Sequence, residues 1–167
     1  MLLRCTRKLI KTYDLSISDS TKTEGILQEW YANLIYFNRK KCILFTESET
    51  LYNLFLPNVK KSEITNLPGI FKNKLKDSLI KININPDLIN SYIRQLNGMT
   101  FSKTKSRSVL GSMKEYTQYY KIGIAQAGGL GRCDIDKLIY ESNNMIMGAL
   151  DYRTGNEEIK ESLSKLK

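Results

Sequence analysis

The stretch LQEWYANLIYF at 27–37, followed by Asn38-Arg39 and then KKCILFT at 40–46, decides the fold. Its first half is dense in aromatic and β-branched residues, which favour a pleated, extended backbone. Alternation puts Trp30, Ala32, Leu34 and Tyr36 on one face and Tyr31, Asn33, Ile35 and Phe37 on the other. Both faces are mostly apolar, so the strand is expected to be central rather than half-solvated. Asn tolerates the left-handed conformation that a tight hairpin demands, so a turn is expected at Asn38-Arg39, with 40–46 as its returning partner. Working outward, LLRCT at 2–6 reads as a short strand and TLYNLFL at 50–56 as a third, stopped by Pro57. The polar segment 14–25 reads as a loop.

Downstream the apolar period changes from two to about 3.6. Ile70, Phe71, Leu75, Leu79 and Ile82 mark a helix after Pro68, and Leu88, Ile89, Tyr92, Ile93 and Leu96 mark another opened by Asn85-Pro86-Asp87. MTFSKT at 99–104 alternates and reads as one more strand. Ser106 is a good N-cap for a long helix to Gln126, closed by AGGLG at 127–131. Helices over 134–143 and 156–166 complete the chain, with a Met-rich loop at 145–150 between them. Strands first and helices after predict one α+β domain over 1–167. Its sheet is expected to be small and largely antiparallel, built on the N-terminal hairpin, with helices packed mainly on one side.

The chain has 167 residues, 26 Lys+Arg, 17 Asp+Glu and no histidine. The missing histidine removes Ser-His-Asp and Cys-His nucleophile systems, His-ligated zinc and imidazole acid–base chemistry. No reaction, cofactor or metal is predicted. Three dispersed cysteines make a poor disulfide framework, and Cys5 and Cys42 lie in apolar runs that read as core. No apolar run reaches the ~20 residues of a membrane span, and 1–13 lacks the apolar core of a signal peptide. A cytoplasmic protein is expected. High Lys, Asn and Ile with only three prolines point to an AT-rich bacterial or phage genome.

Residues 1–121 hold 20 cations against 10 acids, while 122–167 hold 6 against 7. The densest cationic signal is Lys103-Thr104-Lys105-Ser106-Arg107-Ser108, running into a predicted helix N-terminus where free N–H groups and the helix dipole favour anions. Arg107, Gly111, Lys114, Gln118 and Lys121 follow helical spacing along one stripe that carries three cations and no acid. Arg39-Lys40-Lys41 at the hairpin tip is the second basic group, and Arg4, Arg7, Lys8 and Lys11 extend the same surface. A charged tip or a wet helix face also serves plain solubility. Asn33 interrupts an apolar face and, if buried, must be hydrogen-bonded, either locally or in a polar site with Ser106 and Arg107. Asp134, Asp136 and Glu141 have the carboxylates of a two-metal site, although acids at a helix start are favoured by capping alone.

The expected partner is therefore nucleic acid, DNA or RNA unresolved, held by phosphate contacts from the 106–126 helix start and the hairpin tip. The alternatives are a non-catalytic, protein-binding regulator such as an antitoxin, phage inhibitor or defence-system subunit, and a metal-dependent nuclease. The segments Leu3-Arg4-Cys5-Thr6-Arg7-Lys8-Leu9, Trp30-Tyr31-Ala32-Asn33, Arg39 to Thr46, Arg107-Ser108-Val109-Leu110-Gly111-Ser112-Met113 and Met147 to Tyr152 resemble a bacterial family of unknown function. The likeness spans nearly the whole chain and implies one intact domain, with no activity attached.

Overall fold

The computed structural model describes residues 1–19 and 25–166. The hairpin forms where expected: β2 (Glu29–Phe37) and β3 (Lys40–Glu47) pair antiparallel in a register that sets Ala32 against Phe45. Asn38 and Arg39 both take positive φ, 46° and 68°, the type I′ turn whose twist matches the flanking strands. β4 (Asn53–Leu56) returns along β3 and stops before Pro57. β1 (Leu2–Cys5) adds parallel to β2, and β5 (Thr100–Lys103) adds parallel to β1. The sheet order is β4-β3-β2-β1-β5.

The α+β class is the one expected, and its sheet is mixed: the β4-β3-β2 half is antiparallel and the β2-β1-β5 half parallel. Helices cover both faces rather than mainly one. On the Trp30 face, Phe71 of α2 (Leu67–Lys81) meets Trp30 edge-on and Phe45 at a tilt, each at 5.0 Å between ring centres. Trp30 Nε1 also donates to the Tyr92 hydroxyl of α3 (Pro86–Gln95). On the opposite face, Tyr120 of α4 (Arg107–Gln126) stacks on Phe55 at 4.5 Å. α5 (Ile135–Ser142) lies beside β4. The reason is in the strands: β2 and β3 are apolar on both faces, so each face must be covered to remove it from water.

α1 (Arg7–Tyr13) is a helix where only cations trailing the first strand were expected. It is two turns long and buries Leu9 and Tyr13, an i,i+4 pair too short to stand out as a period. Between α5 and α6 (Gly155–Ser164), the expected loop at 145–150 contains a 3-10 turn over Gly148–Leu150. A small ladder of β6 (Ile146–Met147) and β7 (Arg153–Thr154) closes around it. Of the expected loop at 14–25, residues 20–24 lie outside the described residues.

The free edges of the sheet are treated differently. At β4, the Asn143 side chain imitates a strand: its Oδ1 accepts from Asn53 N–H at 2.7 Å and its Nδ2 donates to the Asn53 carbonyl at 2.8 Å. At β5, Ser18 N–H donates to the Phe101 carbonyl at 2.8 Å. β2 outruns β1, whose pairing ends at Ala32, so residues 33–37 have β3 on one side only.

Candidate nucleic-acid interface

Parallel pairing puts the C-terminal ends of β1 and β5 side by side. β1 passes into α1 on the Trp30 face, and β5 passes into α4 on the other. The start of α4 is pinned to the sheet. Ser106 Oγ caps it, accepting from Val109 N–H at 3.3 Å, and Ser106 N–H donates to the Tyr31 hydroxyl at 3.2 Å. That hydroxyl donates to Glu29 Oε1 at 3.4 Å, and Arg4 Nε reaches the same oxygen at 2.7 Å. Arg4 Nη1 also donates to the Lys103 carbonyl at 3.1 Å, and Lys105 Nζ lies 3.4 Å from Glu29 Oε2. Burial pushes the Glu29 carboxyl up, but the hydrogen bond and charge of Arg4, with those of Lys105, hold it below its ordinary value.

This arrangement revises the reading of several residues. Arg4 is 3% exposed and ion-paired, so it anchors the sheet rather than extending a basic surface. Lys105 is exposed but committed to Glu29. Tyr31 and Tyr120 are fully buried and belong to the core. Asn33 is half-buried and accepts from the Thr6 hydroxyl at 3.1 Å. Tyr31, not Asn33, is the strand residue that meets Ser106. The signal for the Arg4–Glu29 pair was a cation inside LLRCT, a run otherwise destined for the core.

The stripe on α4 keeps its five members in solvent: Arg107, Gly111, Lys114, Gln118 and Lys121 are all exposed. Gly111 has open space where a Cβ would sit. Ser108 is exposed, and its carbonyl accepts from Ser112 Oγ. Lys103 is exposed and, with Arg7 and Thr104, edges a cavity of about 300 Å³ over the C-terminal end of β1. At the far end of α4, Lys121 and Lys40 line a second cavity of about 430 Å³ with Phe37, Ile124 and the glycine loop. That loop turns the chain out of α4, with Gly128 and Gly129 at φ 81° and 111°. Arg39 is exposed beside it, while Lys41 is half-buried with its ammonium 5.5 Å from the centre of the Tyr13 ring. Tertiary structure thus brings the hairpin tip to the C-terminal end of the stripe and leaves Lys103 at its beginning.

The acids are engaged elsewhere. Asp136 is bridged by Lys74 and Lys81, whose hydrogen bonds hold its carboxyl below the usual range. Asp134 caps α5 through Lys137 N–H, and Glu141 accepts from the Tyr119 hydroxyl at 2.9 Å. Among the described residues no three His, Cys, Asp or Glu side chains group closely enough to hold a metal ion, and no helix is long and apolar enough to cross a membrane.

A family model described as a domain of unknown function (DUF6933) matches residues 2–158. The chain belongs to this family. The DUF6933 match takes in the whole five-stranded sheet and α1 to α5, and it ends within α6. No curated protein and no solved structure matches the chain.

Proposed function

We propose that this DUF6933 protein binds nucleic acid along α4. The observation that carries the reading is the exposed, acid-free line Arg107, Lys114 and Lys121, which meets Lys40 of the hairpin tip at the second cavity. Cations in line neutralise successive phosphates and release counterions, whereas a single charge does neither. Lys105 and Lys41 contribute less, because one is tied to Glu29 and the other lies over Tyr13.

The test is a titration of wild type, Arg107→Ala and Lys114→Ala on single- and double-stranded DNA and RNA at several salt concentrations. Four engaged cations give a slope of log affinity against log salt of about −2.8 to −3.6, and each substitution lowers its magnitude by roughly 0.7–0.9. Absence of binding at low salt, or binding indifferent to both residues, refutes the proposal.

A further inference from the structure

The parallel strands β1 and β5 part at their C-terminal ends, and the gap between them carries an inference beyond nucleic-acid binding. Their pairing ends with Cys5 opposite Lys103. Arg4 Nη1 fixes that end by donating to the Lys103 carbonyl at 3.1 Å. Beyond it the two chains leave on opposite faces of the sheet. β1 turns into α1, whose Lys8 lies over the Tyr36 ring on the Trp30 face. β5 passes through Thr104 and Lys105 into α4, whose Tyr120 stacks on Phe55 on the other face. Neighbouring parallel strands whose connections diverge in this way leave a crevice outside their carboxyl ends, the place where open parallel sheets bind ligands.

The cavity of about 300 Å³ over the end of β1 is that crevice. It is lined by Cys5, Arg7 and Ile10 from one diverging chain and by Lys103 and Thr104 from the other. Its volume lies at the lower end of the range that holds small organic ligands. Buried Cys5 and half-buried Ile10 give it apolar surface. Burial pushes the Cys5 thiol up to about 12, so it is lining and not a nucleophile. Arg7 and Lys103 supply one cation from each chain, Thr104 adds a hydroxyl, and no acid lines the cavity. Arg4 and Lys105, close by in sequence, are committed to Glu29. Among the described residues no ion pair engages Arg7 or Lys103, and no hydrogen bond engages the Thr104 hydroxyl.

We propose that this crevice binds a small organic phosphate monoester, its phosphate held between Arg7 and Lys103 and its organic part set against Cys5 and Ile10. A phosphate monoester carries nearly two negative charges and three acceptor oxygens at neutral pH. It can therefore meet two cations and a hydroxyl at once. A carboxylate carries one charge, and so does each phosphodiester inside a nucleic-acid chain, which suits the spaced cations of α4 better than a closed pair. The apolar lining favours a ligand with a body over bare phosphate.

The probe is phenyl phosphate, with benzoate and inorganic phosphate as counterparts, each titrated into nitrogen-15-labelled protein and followed by NMR. The proposal expects saturable shifts at the amides of residues 5–10 and 103–105, with a dissociation constant of about 1 mM or tighter. Benzoate, with one charge, and inorganic phosphate, with no apolar body, should each bind about tenfold more weakly. Arg7→Ala and Lys103→Ala should each weaken phenyl phosphate about tenfold. Both side chains are exposed, so the rest of the spectrum should stay unchanged. Arg107→Ala should lose nucleic-acid affinity and keep phenyl phosphate, so failure of either reading is seen apart from the other. No saturable shift up to about 20 mM overturns the proposal, as does benzoate binding as tightly as phenyl phosphate. Shifts that spread along α4 and survive both the Arg7 and the Lys103 substitutions reveal a diffuse basic surface and overturn it too. A 5′-phosphorylated oligonucleotide that moves these amides when phenyl phosphate does not assigns the crevice to a nucleic-acid end, and that also overturns the proposal.

Discussion

Asn143→Ala tests how the fold closes its β4 edge. The Asn143 side chain is fully buried and makes four hydrogen bonds. Two run to Oδ1 from Asn53 N–H and Asn53 Nδ2, at 2.7 and 2.9 Å. Two run from Nδ2 to the Asn53 and Ile139 carbonyls, at 2.8 and 2.9 Å. The Ile139 carbonyl keeps other donors, since Asn143 N–H and Ser142 Oγ also reach it. Alanine therefore orphans three groups of buried Asn53: its N–H, its side-chain amide and its carbonyl. Each costs about 1–3 kcal/mol when left buried and unmade. Water entering the vacated space recovers part of that, so a net loss of about 3–5 kcal/mol is expected. Against a typical total of about 5–15 kcal/mol this is severe, and it lowers Tm by about 10 °C. The assay is urea unfolding followed by the fluorescence of Trp30, the chain's one tryptophan, which is fully buried against Phe71. A loss under about 1 kcal/mol at unchanged m refutes the strand-mimic account.

Further outcomes follow from contacts already described. Glu29 has its carboxyl held below the ordinary 4.5, so the unfolded chain takes up its proton more readily. Its contribution is whole above about pH 4.5 and is lost as pH falls through the lower folded value; acid titration of stability should show this in wild type and not in Glu29→Gln. Burial pushes the Cys5 thiol to about 12 and raises that of buried Cys42, so at pH 8 both should label only as the protein unfolds, after half-buried Cys133. Equal labelling rates for Cys5 and Cys133 would count against that. A Cβ at Gly155 would stand 3.2 Å from Asn143 Oδ1 and 3.3 Å from Tyr52 Cα. Gly155→Ala should cost about 1–2 kcal/mol in urea unfolding despite alanine's better helix propensity; a gain in stability would disprove the crowding.

What the sequence determined by itself was local. The type I′ hairpin is legible because the residues that make it are adjacent and Asn38 fits its left-handed turn. Helix α4 is legible from Ser106 to its closing glycines because cap, period and C-terminal glycine all act within a few residues of each other. The stripe Arg107, Lys114 and Lys121 follows from helical geometry alone. What only the tertiary structure decided was non-local. Nothing in LLRC says that β1 enters the sheet between β2 and β5, parallel to both, since that depends on segments about 25 and 100 residues away closing on it. That insertion buries Arg4 against Glu29, turning a candidate surface cation into an anchor, and it sets Tyr31 rather than Asn33 against Ser106. It also leaves β2 longer than its neighbour. Strand length is written in the local sequence, but an unpaired edge exists only by comparison with the strand beside it, and that neighbour is chosen by the packing of the whole chain.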